Sequence, residues 1–169
     1  LLYAMSRELA GTRGRENMAP VAVRHVAEVF DTKATILAPD AHGRLCYPDA
    51  VSLEESYLGA DLSVAQWVFD HGERAGLGTD TLPAAPAVYL PLTGAHRVVG
   101  VLAVLPANRR RVLLPEQRHL LETFAAQIAL AWERAALGEE AAASRIAAES
   151  ESLRNTLLAS ISHDLRTPL

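Results

Sequence analysis

The residues Ser162-His163-Asp164-Leu165-Arg166-Thr167-Pro168-Leu169 hold the side-chain types best suited to chemistry. A neutral imidazole nitrogen is a good nucleophile for a γ-phosphoryl group, and imidazoles titrate near neutral pH. The neighbouring carboxylate, Asp164, can hold the tautomer and accept a proton. Thr167 lies four residues after His163 and so shares its helical face. A lone histidine here would more simply be a solvated helix-end side chain. A second group is Trp67 followed by Gly76-Leu77-Gly78-Thr79-Asp80-Thr81. Gly76 and Gly78 permit close backbone approach. With free N–H groups and the Thr79 and Thr81 hydroxyls, this loop could cradle a small polar ligand or an ion. The competing reading is a loop whose threonines bond its own backbone, with Trp67 as core.

Other chemistries find little support. Cys46 is the single cysteine, which excludes an intrachain disulfide and any multi-cysteine metal site. His25, His42, His71, His96 and His119 are scattered, with no pair at ligand spacing in one element, so no metal is assigned. Net charge is −4 and the pI is about 5.9, without the basic excess of a nucleic-acid binder. Of 16 basic residues only Lys33 is a lysine, which reads as composition bias. The one basic run, Arg109-Arg110-Arg111, reads as a solvated loop before a helix. The most apolar stretch, residues 98–105, is too short to cross a bilayer, which takes about 20 residues. No secretory pattern opens the chain, and both ends read as cuts through a longer protein.

The elements that must position these groups follow from periodicity. Residues 1–10 read as a helix with Leu2, Met5 and Leu9 on one face, broken by Gly11 and Gly14. Residues 17–30 read as a second helix, capped by Asn17, with Val23, Val26, Ala27 and Phe30 as its stripe. A hairpin follows, from strands 32–38 and 44–47 around a turn at 39–43. After a loop to Ala60, Asp61 can cap a helix over 62–70 that ends at His71-Gly72. Residues 73–86 look irregular. Strands 88–92 and 98–105 are joined by the turn 93–96, and 98–105 has no polar face, so it should be central. From Pro115 a long helix begins. A 4,3 pattern runs through Ile128, Trp132, Ala135, Glu139, Ala142, Ile146, Glu149 and Leu153. This predicts a weak parallel coiled coil with two acidic faults, rather than a single surface helix.

All eight positions of the terminal motif resemble the phosphoacceptor box of dimeric sensor histidine kinases, and the apolar approach 157–161 resembles it too. The segment from Trp67 through Ala75-Gly76-Leu77-Gly78-Thr79-Asp80-Thr81-Leu82-Pro83 resembles the GAF domain of KdpD-type potassium sensor kinases. So do Ile36-Leu37-Ala38-Pro39-Asp40 with Gly43, Leu90-Pro91-Leu92, and Leu114-Pro115-Glu116-Gln117 with Leu120-Leu121-Glu122-Thr123-Phe124. The resemblance covers nearly the whole chain.

It implies an α/β fold of GAF type: a central, mostly antiparallel sheet flanked by helices, the first and last helices packed on one side, then a long signalling helix. It implies a GAF domain over 1–137 and a signalling helix with a truncated phosphoacceptor helix over 138–169. The implied roles are phosphoacceptor for His163, base or orienter for Asp164, and placement of a dephosphorylating water for Thr167. The implied pocket candidates are Trp67, Gly76, Gly78, Thr79, Asp80 and Thr81. No haem or bilin attachment signature occurs, so no covalent cofactor is expected. ATP and Mg²⁺ are implied for a kinase domain outside this chain, which alone should be inactive. The implied partners are a second copy through the last helix, a response regulator of the KdpE type that controls a potassium pump, and a small ligand or ion. The implied location is the cytoplasmic portion of a bacterial inner-membrane protein, with no membrane contact by this segment. An unliganded scaffold, or a GAF domain of a different sensor kinase, are the alternatives.

Overall fold

The computed structural model describes residues 1–47, 60–112 and 114–166. Helix α1 spans Leu2–Gly11 and buries Met5 and Leu9. Helix α2 spans Arg15–Phe30 and buries Met18, Ala19, Ala22, Val26 and Phe30. It starts two residues before Asn17, from Gly14, and Asn17 does not cap it. The Asn17 side-chain amide donates to the Arg13 carbonyl instead, at 2.9 Å. The buried stripe also runs through Ala19 and Ala22 rather than Val23. Small alanines let the helix lie close to its neighbours, a preference that reading for large aliphatics misses.

Strand β1, Thr32–Pro39, pairs antiparallel with the short β2, Leu45–Cys46. The turn between them is closed by the Asp40 carboxylate, which accepts from the His42 and Arg44 N–H groups. Helix α3 spans Leu62–His71, with the Asp61 side chain accepting from the Ser63 N–H at 2.8 Å. Gly72 ends it in the left-handed conformation. The stretch that reads as irregular contains a two-residue strand, β3, Ala75–Gly76. Strands β4, Val88–Thr93, and β5, Val98–Pro106, complete an antiparallel sheet of order β2-β1-β5-β4-β3. The all-apolar β5 is central, as its lack of a polar face requires. Arg109–Val112 forms a short helix, α4, rather than a loop, started by the Asn108 side chain accepting from the Arg110 N–H. Its arginines are exposed.

Helix α5 spans Pro115–Arg166. The chain divides into two compact units, Leu1–Ala135 and Ala136–Leu169. In the first, one core layer joins α1, α2 and the α5 residues Leu121, Phe124, Ala125, Ile128, Ala129 and Trp132 to one face of the sheet. The second layer packs Val64, Ala65 and Val68 of α3 on Leu37, Ala75, Ala87, Tyr89, Val101 and Ala103. Ile128 and Trp132 are therefore buried inside their own unit and do not belong to an exposed seam. In the second unit the helical residues are exposed almost throughout, Ile146, Leu153 and Leu157 included.

Candidate functional site

His163 and Asp164 lie on α5 in the unit Ala136–Leu169, with side chains 83% and 82% exposed. The His163 Nδ1 is 3.7 Å from the Asp164 Oδ1. That is longer than a hydrogen bond, so the contact is electrostatic and orienting. A carboxylate on that side favours the tautomer with its proton on Nδ1, which leaves the nucleophilic lone pair on Nε2. Both side chains are therefore open to solvent. Thr167 lies outside the described residues, as do the last two positions of the box.

The Gly76–Thr81 loop is closed on itself. The Gly76 N–H donates to the Thr81 carbonyl at 2.8 Å, and the Thr79 N–H to the Gly76 carbonyl at 3.1 Å. The Thr79 Oγ1 lies 2.8 Å from the Gly76 carbonyl oxygen and 2.7 Å from that of Thr81, one of which takes its proton. Gly76 has φ 93°, and a Cβ there would sit 2.2 Å from the Ala87 carbonyl oxygen, so no side chain fits. Asp80 is exposed and Thr81 half-buried. The hollow against this loop, lined by Arg74, Leu77, Gly78, Thr79, Arg118 and Leu121, holds about 10 Å³. That is room for about one water.

Trp67 does not join this hollow. It is half-buried on α3, packed against the second core layer, and its ring stacks on His71 at 4.2 Å between centroids. Leu77, beside Gly76 and Gly78, packs against the first layer. The structure thus brings Gly76, Gly78, Thr79 and Thr81 together and places Trp67 in the other layer. A larger hollow of about 330 Å³ lies between α1 and α5, lined by Ser6, Leu9, Met18, Gln127, Ala131 and Arg134 among others. Among the described residues, no group of three His, Cys, Asp or Glu side chains could hold a metal ion. No described helix is long and apolar enough to cross a membrane.

Among the described residues three ionisable groups depart from their ordinary values, one of them Arg24, whose guanidinium is raised chiefly by its hydrogen bond to Glu8. The Glu8 carboxyl is lowered, chiefly by its hydrogen bonds to Arg24 and His25. The Tyr89 phenol is raised, mainly by burial, although its oxygen accepts from the Asp61 N–H at 2.8 Å.

Residues 16–134 match the GAF domain family. The chain belongs to that family. Within it, the GAF domain here is similar to the sensor protein KdpD of Escherichia coli, 41% identical over 168 residues, 99% of this chain. It is similar to the KdpD of Clostridium acetobutylicum, 31% identical over 99% of this chain. In the crystal structure of the native GAF domain of the potassium sensor histidine kinase KdpD from E. coli, the match has a TM-score of 0.73. Identity there is 37%, covering 83% of this chain and 96% of that one. The chain spans under a fifth of the length of the two curated relatives, 18% and 19%.

Sequence reasoning missed the polar ties that fix this GAF domain's loops. The Gln66 side chain accepts from the Leu45 N–H at 2.9 Å and donates to the Gly43 carbonyl and to Asp70, tying α3 to the β1–β2 hairpin. Arg74 pairs with Glu122, and the Glu133 carboxylate accepts from the Ala95 N–H at 2.7 Å. Apart from Gln66 and Asp70, which are one helical turn apart, these partners are far apart in sequence, and no local motif announces them.

Proposed function

We propose that this chain is the sensory and signal-transmission segment of a potassium-responsive sensor histidine kinase, carrying its phosphoacceptor, His163. The reading rests on the box from Ser162 to Leu169 lying in a chain 41% identical to a KdpD sensor along 99% of its length. His163 attacks the γ-phosphorus of ATP, forming an N–P bond as the bond to the β–γ bridging oxygen breaks and ADP leaves. The phosphoryl group then passes to an aspartate of a response regulator, and Thr167 places the water that later removes it there. Asp164 orients the ring and takes up its proton. ATP and Mg²⁺ are supplied by a kinase domain elsewhere in the full-length protein, on the cytoplasmic side of the inner membrane. The second copy needed for such a kinase pairs through the helix beyond Ala135.

Replacing His163 with Gln in the full-length kinase should abolish autophosphorylation while the GAF unit keeps its stability. Acid-labile phosphate retained on this variant would overturn the assignment.

The sensory role has two forms. In one, the Gly76–Thr81 loop binds an ion or small polar ligand. In the other, the GAF domain is an unliganded scaffold that passes signals through packing. The self-closed loop and its hollow of about 10 Å³ favour the second. Calorimetric titration with potassium and nucleotides separates them, since heat of binding appears only for the first.

A further inference from the structure

Helix α5 meets the tip of the β4–β5 hairpin through the Glu133 side chain. The Glu133 carboxylate is only 15% exposed. Its Oε2 accepts from the Ala95 N–H at 2.7 Å, and its Oε1 lies 3.8 Å from the His96 Nδ1. The site is shaped for that carboxylate. A Cβ on Gly94 would lie 2.7 to 2.9 Å from its three carboxyl atoms, so a side chain there would push the carboxylate out of this position. The turn beneath is closed by the Gly94 N–H donating to the Arg97 carbonyl at 2.9 Å, next to a register irregularity at Leu92/Thr93.

Both sides of this contact matter. The hairpin joins the two strands that supply most of the sheet's buried residues. Leu90, Leu102 and Val104 face one layer, and Tyr89, Val101 and Ala103 face the other. The hairpin thus joins two strands that contact both core layers. Glu133 is next to Trp132, which is buried, and two residues before Ala135, where the first unit ends. The second tie from the sheet region to α5, Arg74 to Glu122, sits three turns earlier on the helix and is half exposed on both sides.

We propose that Glu133 is a positioning residue, a latch that fixes the hairpin tip to the last turn of α5 within the GAF unit. Through it the state of the sheet sets the helix that leads on to His163. This rests on the reading of His163 as phosphoacceptor. A charge-assisted hydrogen bond to a backbone N–H is strong enough to bias a two-state element severalfold. Release of the latch is then the step by which a change in the GAF domain alters the balance between kinase and phosphatase activity.

The test has two arms. In the 169-residue chain, hydrogen exchange at the Ala95 amide should quicken about tenfold in Glu133→Ala and in Gly94→Ala. Glu133→Gln, which keeps an acceptor oxygen, should restore most of the protection. In the full-length kinase, the ratio of autophosphorylation to phosphatase activity should shift severalfold in Glu133→Ala and Gly94→Ala. It should stay near the parent value in Glu133→Gln, and in Glu122→Ala, which cuts the other tie. Unchanged Ala95 exchange in Glu133→Ala would overturn the latch. A ratio equally displaced by Glu122→Ala would overturn its special role, leaving mere loss of stability. Absence of any His163 labelling in the parent would sink the phosphoacceptor reading instead, and the exchange arm would still decide the contact.

Discussion

Phe124, Ile128 and Trp132 on α5 are at most 4% exposed, whereas Ile146, Leu153 and Leu157 on the same helix are at least 56% exposed. Both sets fall at helical spacings of four or seven residues, so helical periodicity does not distinguish them. What differs is cover. The first three lie in the unit Leu1–Ala135, where α1, α2 and a sheet face receive them. The others lie in Ala136–Leu169, which among its described residues is helix alone. The contrast teaches that one apolar stripe can serve two ends. Its first part closes a domain, and its second part presents a surface. At about 25 cal/mol per Å² of apolar area, leaving several Leu and Ile side chains in water forgoes a few kcal/mol. A second copy of the chain can recover that by pairing identical faces.

The largest effect expected separates the two stripes directly. Phe124 is fully buried and meets Phe30 edge to face, with ring centroids 5.4 Å apart. Phe124→Ala should cost about 3–5 kcal/mol of unfolding stability through lost contact and a cavity. Leu157→Ala should change the stability of the same GAF unit by less than about 0.5 kcal/mol. Chemical denaturation followed by tryptophan fluorescence measures both. Comparable losses at the two positions would show that the stripes share one core.

Much of the fold is legible in the sequence, and the reasons are local, but this contrast is not, because the 4,3 pattern carries Ile128 and Trp132 into the same seam as Ile146 and Leu153. β5 has only apolar residues, so its central place follows from pattern. Asp61 and Gly72 mark the ends of α3 through capping chemistry that needs no tertiary partner. Other features were not legible in that way, among them the short strand β3 and the helix α4. The α2 start at Gly14 rather than Asn17 turns on backbone geometry that a side-chain preference does not report. The Ala19 and Ala22 contacts depend on how closely helices pack. The exclusion of Trp67 from the Gly76–Thr81 hollow depends on which sheet face each lines, and nothing local fixes that for α3. Glu133 looks like any exposed helical acid until the hairpin tip is brought to it. His163 stands apart from all of these, because its signal is a contiguous motif and the chemistry proposed for it needs no pocket in this chain.

A middle-sized effect tests whether the exposed stripe pairs with itself. Glu139 and Glu149 fall on the 4,3 positions between Ala135 and Leu153, and both are exposed. In a parallel pair each would approach its own copy across the axis, and like charges there weaken association. Replacing both with Leu should tighten self-association by roughly tenfold or more, because it removes the repulsion and adds apolar seam. Light scattering across a dilution series reads this. A parent chain that stays monomeric at high concentration, with a double variant no tighter, would break the pairing and leave the stripe for a different partner.

The smallest effect concerns a tie inside the first unit that, unlike Phe124, stands largely in water. Glu8 on α1 is hydrogen-bonded to Arg24 and, at 2.8 Å, to the His25 Nε2 on α2. These bonds hold the Glu8 carboxyl below its ordinary range. A carboxylate whose folded value is depressed contributes stability above its unfolded value, and that contribution is lost as pH falls through the folded one. Glu8→Gln should therefore lower the denaturation midpoint slightly at neutral pH. The difference from the parent should shrink to nothing in the acid range, once both proteins carry a neutral side chain there. Solvent screening keeps the effect small, well under that of Phe124→Ala. A midpoint difference that persisted unchanged into acid would mean that Glu8 acts by packing α1 on α2. The pair would then belong with the buried core in the comparison rather than with the solvated surface.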